Sequence, residues 1–427
     1  METKTIIFKA EVSDVLFYYA GQRNDRSIRT RLQLDGELNL DILIQAFNKS
    51  IDLVPVLKSK WVVGRFYYHW ELIQDFDIRD YMTVTYDFDE AENFLIEKIE
   101  CEKGPQIKVL IYRNNGKDTI QITITHLCLD GIAFKHFYML LSQYYTGLKR
   151  DENFVFNDLT DHDRNLWLIF KNFSLKQRLK FAVAPANLFD VNNAKYINID
   201  DKSVERKKIF LKNKIEGNVL QKLISKSKKS GVTVNDVFMA ALTKVVFDIS
   251  KIEPSSHEIS TTFNLRNHIK EKKKIDFTNK VSAVSIIIRK IEGESFEELL
   301  YRVGEQMKNN KKKYSSLFKQ EFLRLIPFAL SIPLLKKLLA KFCAGTDTFG
   351  ISNIGIVSND DFNFANLNIE DFFLNGALRN KVLPTLFFCS VNNHINVTCA
   401  MRGSEKEIEQ IRKIIEMLIS NIEKYVE

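Results

Sequence analysis

Short runs with period-two hydrophobicity alternate with runs of helical spacing along most of this chain, and that alternation restricts it to an α/β architecture. "RTRLQLDGEL" (29–38) predicts a strand running into a turn, and Asn39 is placed to cap a helix over 40–53. "SKWVVG" and "FYYHWEL" predict a hairpin, "EAENFLIEKIECEK" a helix, and "QIKVLIYRNNGKDTIQITITH" two strands turning at 114–116. The opening "METKTIIFKAEVSD" has no apolar signal region and predicts a strand of a cytoplasmic protein. Periodicity weakens over 146–204, then returns: strands at "KKIFLKN", "EISTTFNLRN" and "KVSAVSIIIRKI", helices between them and over about 295–342, strands at 348–357, 383–392 and 394–402, and a closing helix. At 427 residues the chain exceeds the roughly 250 that one core holds. Two lobes are expected, 1–180 and 206–427, each a mixed β-sheet with flanking helices, joined by a connector over 181–205.

Charge and cysteine usage narrow the setting. The net charge of +8 comes partly from lysine runs at 222–231, 270–274 and 308–313. Such runs are usually solvated faces, and they also suit an anionic partner: a phosphorylated cofactor, an acidic carrier protein or a membrane surface. No nucleic-acid motif accompanies them. Five scattered cysteines with no C-x-x-C pair read as free thiols in a reducing compartment. "FLRLIPFALSIPLLKKLLAKF" (322–342) is apolar, yet Arg324, Lys336, Lys337, Lys341, Pro327 and Pro333 break it below the about 20 residues that span a bilayer. It reads as a buried or amphipathic helix pair and leaves peripheral membrane contact open.

The chemistry concentrates in "ITITHLCLDGIAFKHF" (122–137). Ile120, Ile122 and Ile124 share one strand face, and parity puts His126 on that side, pointing inward. One reading is a satisfied core histidine; the other is a general base, since a neutral imidazole can take a proton from a hydroxyl, amine or thiol. Asp130 reads as a good N-cap of the following helix, and for its charge an ion pair with an arginine elsewhere is as plausible as a catalytic dyad with His126. Gly131 suits the tight strand-to-helix connection. His136 lies on that helix and reads as structural. His69, His162, His257, His268 and His394 show no metal-ligand spacing, and no metal site is expected. The chain has no G-x-S-x-G elbow, Walker A loop or dinucleotide glycine fingerprint, which argues against hydrolase, NTPase and oxidoreductase classes.

"HLCLDGIAF" after a strand resembles the H-x-x-x-D-G motif of the chloramphenicol-acetyltransferase-like acyltransferases, a group that includes condensation domains, wax-ester synthases and alcohol acetyltransferases. Four further stretches match in order: "LDGELNLDILIQAFNKSIDLVPVLKSKW", "TVNDVFMAAL" (233–242), "TTFNLRNH" (261–268) and "TDTFGISNIG" (346–355). The resemblance implies two lobes with a channel between them, where an acyl donor and an acceptor meet at His126. It implies Asp130 in a loop-orienting salt bridge, with Arg266 as candidate partner, and Ser352 and Asn353 near the reacting centre as substrate-binding or oxyanion residues. Thr125 stands where condensation domains usually carry a second histidine, and "DTFGISN" only partly echoes the plant-type D-F-G-W-G signature.

These implications lead to an acyltransferase that moves an acyl group from a thioester to a hydroxyl or amine. It would hold no permanent cofactor. Acyl-CoA is the favoured co-substrate, because no carrier domain is fused within the chain; a phosphopantetheinyl carrier protein is the alternative. A non-catalytic lipid- or partner-binding lobe pair is the third reading. A monomer is expected.

Overall fold

A computed structural model describes residues 7–21, 25–64, 67–156, 160–161, 164–182, 205–250, 256–269, 275–312, 317, 348–378 and 383–427. The connector over 183–204, the lysine run 270–274, the apolar stretch 322–342, His162 and Cys343 lie outside them.

The first half runs β1 (Ile7–Lys9), α1 (Val12–Ala20), β2 (Ser27–Leu34), α2 (Leu40–Asp52), β3 (Ser59–Val63), β4 (Tyr68–Leu72), β5 (Met82–Thr85), α3 (Phe88–Phe94), β6 (Ile107–Asn114), β7 (Lys117–Thr125) and α4 (Gly131–Arg150). Then come β8 (Thr160–Asp161), α5 (Trp167–Phe170) and α6 (Leu175–Ala182). The second half runs β9 (Lys207–Ile215), α7 (Val219–Lys229), α8 (Val234–Ile249), β10 (Ser256–Asn264), β11 (Ile275–Asp276), β12 (Val281–Arg289) and α9 (Phe296–Lys312). It closes with β13 (Phe349–Val357), β14 (Ile369–Asn375), β15 (Thr385–Val391), β16 (His394–Gly403) and α10 (Glu405–Val426).

Two mixed sheets organise the molecule: a five-stranded sheet in the order β14-β2-β7-β6-β5 and a six-stranded sheet in the order β12-β10-β13-β15-β16-β9. Each has its own apolar core. In the first, Ile120, Ile122 and Ile124 of β7 pack with Phe47 of α2 and Phe134 and Phe137 of α4. In the second, the strands pack under α8, α9 and α10. The expected α/β class with two sheet-and-helix lobes is the observed fold.

Local chemistry explains the boundaries that match. The Asn39 side chain accepts the Ile42 amide, capping α2. Asn115 and Gly116, both at positive φ, turn β6 into β7. In "TVND", Thr233 and Asp236 form a reciprocal capping box at the start of α8, so this stretch has a structural explanation.

Several elements, the short strands β5, β8 and β11 among them, differ from the sequence expectation, and three differences matter most for the fold. The N-terminal segment holds only a three-residue strand before helix α1. The helix expected over 90–103 shrinks to α3, because the following chain supplies backbone partners instead. Cys101 O accepts from Trp61 N at 2.8 Å, and the buried Gln106 side chain donates to the carbonyls of Ser59, Cys101 and Gly104. Strand β14 was not expected at all. It leaves the C-terminal half and pairs antiparallel with β2, so the expected lobes share one sheet. Its Asp371 breaks the strand pattern, and three partners satisfy it: the partly buried Lys212, His394 Nε2 at 3.0 Å and Asn396 Nδ2 at 2.6 Å.

Candidate active site

The strand β7 stops at Thr125, and the next residue starts a turn into α4. His126 keeps one strand-like bond, its amide donating to Arg26 O at 2.5 Å. Its ring Nδ1 lies 3.1 Å from Leu129 O. A carbonyl only accepts, so the Leu129 contact fits a proton on Nδ1 and a lone pair on Nε2, whereas a bond donated by Asn279 to the same atom would fit the other tautomer. The Asn279 amide nitrogen lies 3.2 Å from Nδ1 and donates to His126 O at 2.5 Å. On the ring face, Phe17 of α1 stacks at 4.0 Å between centroids. The imidazole is half-buried, and desolvation lowers its pKa to about 4 against the opposing pull of the Asp130 charge. It is neutral at pH 7.

Asp130 serves two structural purposes at once. Its Oδ1 accepts the Ala133 amide at 2.8 Å and caps α4. Its Oδ2 accepts Arg266 Nη1 and the Lys280 amide, each at 2.7 Å. The two sequence readings of this residue, cap and arginine partner, are therefore both present. Arg266 also grips Asp276, with Nη2 2.7 Å from Oδ1, and donates to Thr278 O at 2.7 Å. Lys280 Nζ, 1% exposed, also meets Asp276, Oδ2 lying 3.1 Å away. Burial raises the Asp276 pKa, but the adjacent Arg266 and Lys280 charges outweigh it and hold the carboxyl below its usual range. Arg266 goes the other way: burial disfavours its charge, and the two carboxylates more than restore it. These contacts fasten the β7–α4 turn to the loop between β11 and β12.

Gly131 does not adopt positive φ, so backbone freedom is not why glycine sits there. Space is the reason: an added Cβ would come 2.8 Å from Ile354 Cδ1 of β13 and 3.7 Å from Leu374 Cδ1 of β14. Ser352 and Asn353 lie on β13, and their hydrogen bonds stay in the C-terminal half. Ser352 Oγ is 3.3 Å from Thr262 Oγ1, and Asn353 Oδ1 accepts the Gly355 amide at 2.9 Å within its own bulge. His136 Nδ1 lies 3.4 Å from Asp276 O, and burial lowers its pKa. The remaining described histidines take structural contacts, as with His394 on Asp371 and His69 on Glu71.

Sequence reasoning missed Phe17, Asn279 and Lys280. Phe17 reads as one aromatic among several in a stretch just past the segment taken for strand, with no element expected there. Asn279 reaches His126 across 153 positions, and no local pattern marks it. Among the described residues, no cluster of His, Cys, Asp and Glu could hold a metal ion. No helix among them is long and apolar enough to cross a membrane.

No family model matches the chain, and no curated protein matches it in sequence. Solved structures do match in fold. The first condensation domain of the calcium-dependent antibiotic synthetase, in complex with a substrate analogue, superposes with a TM-score of 0.72 at 11% identity, covering 98% of this chain and 97% of that one. Polyketide synthase associated protein 5 from Mycobacterium tuberculosis gives 0.70 at 13% identity, covering 99% of each chain. TRI3 trichothecene 15-O-acetyltransferase from Fusarium sporotrichioides gives 0.71 at 12% identity, covering 98% of this chain and 95% of that one. An epimerization domain of tyrocidine synthetase B also superposes, at 0.71 and 13% identity. The chain has the chloramphenicol-acetyltransferase-like fold of condensation domains and acyltransferases.

Proposed function

We propose that the protein is an acyltransferase that moves an acyl group from a thioester to a hydroxyl or amine, with His126 as the general base. One observation carries the reading: an imidazole at the turn between β7 and α4 whose Nδ1 lies 3.1 Å from Leu129 O, a geometry that fits a proton on Nδ1 and an open Nε2. In this reading the acceptor O–H or N–H gives its proton to Nε2 while its oxygen or nitrogen bonds to the thioester carbonyl carbon. The collapsing tetrahedral intermediate expels the thiolate, which takes the proton back from the imidazolium. The Asp130 charge and the Leu129 carbonyl favour the imidazolium while it exists. The low resting pKa makes His126 a weak base, and it also keeps the base unprotonated in mildly acidic conditions.

The oxyanion needs a hydrogen-bond donor, worth roughly 3–4 kcal/mol when lost. The two sequence-derived candidates are Ser352, whose hydroxyl has one long contact to Thr262 Oγ1 and can turn, and Asn353, whose Oδ1 accepts the Gly355 amide and whose Nδ2 would be the donor.

Acyl-CoA is the first donor to test. Condensation domains among the similar folds support the second reading, a carrier-protein-bound thioester. The test follows free-thiol release from a panel of acyl-CoA lengths with alcohol and amine acceptors, for wild type and His126→Ala. Acceptor-dependent release that the substitution lowers at least about a hundredfold supports the reading. Release from acyl-carrier donors alone moves the assignment to the condensation type. Release from neither, with both proteins folded, points to the non-catalytic binding role.

A further inference from the structure

We propose that Arg164 is a positioning residue of this site, tying together the three segments that touch the His126 ring. The inference rests on the reading of His126 as the base. Arg164 follows β8, which pairs in parallel with β11 and so carries the connector to the loop that holds Asn279. Its guanidinium then makes three bonds. Nη1 donates to Cys128 O at 2.9 Å and to Phe277 O at 3.0 Å, while Nη2 donates to Asp14 Oδ1 at 2.8 Å.

Each acceptor belongs to a different support of the imidazole. Cys128 precedes Leu129, whose carbonyl lies 3.1 Å from the ring Nδ1. Phe277 is two residues before Asn279, which donates to His126 O. Asp14 sits one helical turn before Phe17, which stacks on the ring. Asp14 is itself immobile: fully buried, it also accepts Trp70 Nε1 at 2.9 Å and the Glu11 amide at 3.0 Å. A planar guanidinium can reach three acceptors in fixed directions, whereas an ammonium presents one compact charge. Arg164 takes no part in the Asp130–Arg266–Asp276 cluster, so the turn is fastened from two sides by two arginines.

The arrangement predicts a catalytic defect without loss of substrate binding. Arg164→Lys keeps a cation for Asp14 but cannot span the carbonyls, so kcat should fall about tenfold or more with KM nearly unchanged, as misplacement of a reacting group predicts. A second readout is the titration of His126, followed by NMR of ring-labelled protein. Of the groups around the ring, Phe17 and Asn279 are uncharged, and the acting charge is that of Asp130. Loosening the supports admits water, so the His126 pKa should move upward toward the ordinary histidine range in Arg164→Lys and further in Arg164→Met.

Wild-type kcat or an unmoved titration in a folded Arg164→Lys protein overturns the proposal. So does a misfolded Arg164→Met beside a wild-type-like Arg164→Lys, because Arg164 would then only neutralise Asp14. If the wild-type protein transfers no acyl group from any donor, the functional reading fails while the titration still decides the positioning role.

Discussion

Arg266 Nη1 meets Asp130 Oδ2 at 2.7 Å, joining positions 136 residues apart. The pair is nearly dry, with 14% and 2% of the two side chains exposed, and the Lys280 amide shares the same carboxylate oxygen. This contact fastens the turn behind His126 to the second half of the chain. It does not reach the imidazole, so Asp130 holds the loop and acts on the His126 ring only through its charge.

Two substitutions at Asp130 separate its roles. Asp130→Asn keeps an oxygen to accept the Ala133 amide, so the cap of α4 survives while the ion pair to Arg266 is lost. Asp130→Ala loses both. The alanine variant should be less stable than the asparagine variant by about 1 kcal/mol, the usual worth of an N-cap. Both should lower activity by a similar factor, because both remove the loop's charge. Urea unfolding and acyl-transfer assays on the two variants check this; equal stabilities would mean that the cap contributes nothing here.

The pH profile follows from the burial of His126. Its pKa, lowered to about 4, puts the acid limb of kcat/KM near that value instead of near 6.5. The linkage to stability has the same sign. The unfolded imidazole binds a proton below about 6.5 and the folded one only near 4, so stability falls progressively as the pH drops between the two. His126→Gln removes this dependence, and thermal melts of both proteins across that range should converge at low pH.

Asp371 makes the still more acidic part of the pH range informative. Burial pushes its carboxyl pKa upward, but Lys212, Asn396 and His394 together lower it from 3.8 to about 2. The stability this residue adds is complete above its unfolded pKa and is lost as the pH falls through about 2. Asp371→Asn should flatten that acid limb. It should also destabilise the protein at pH 7, because Lys212 would remain partly buried without its carboxylate. A denaturation series on both proteins from neutral to strongly acidic pH measures both effects.

Much of the fold was legible because its signals are local. The isoleucine face of β7, the Asn39 cap and the Asn115–Gly116 turn depend on neighbours a few residues away. Strand β14 was illegible for the opposite reason. "IEDFFLN" puts a carboxylate inside a strand, and only Lys212, His394 and Asn396, from other strands, make that placement affordable. The site divides in the same way. His126, Asp130 and Gly131 stand in one short motif, whereas Phe17, Asn279 and Arg164 come from three separate segments with no local mark.

The amino-acid sequence by itself determined the α/β class, the strand-turn-helix that carries His126, and the double suitability of Asp130 as cap and ion-pair partner. Those follow from period, capping and backbone geometry over a few residues. Tertiary structure decided how low the pKa of the imidazole falls and which arginines hold its loop. Those depend on desolvation and on hydrogen-bond partners brought together over more than a hundred positions, where no sequence period can reach.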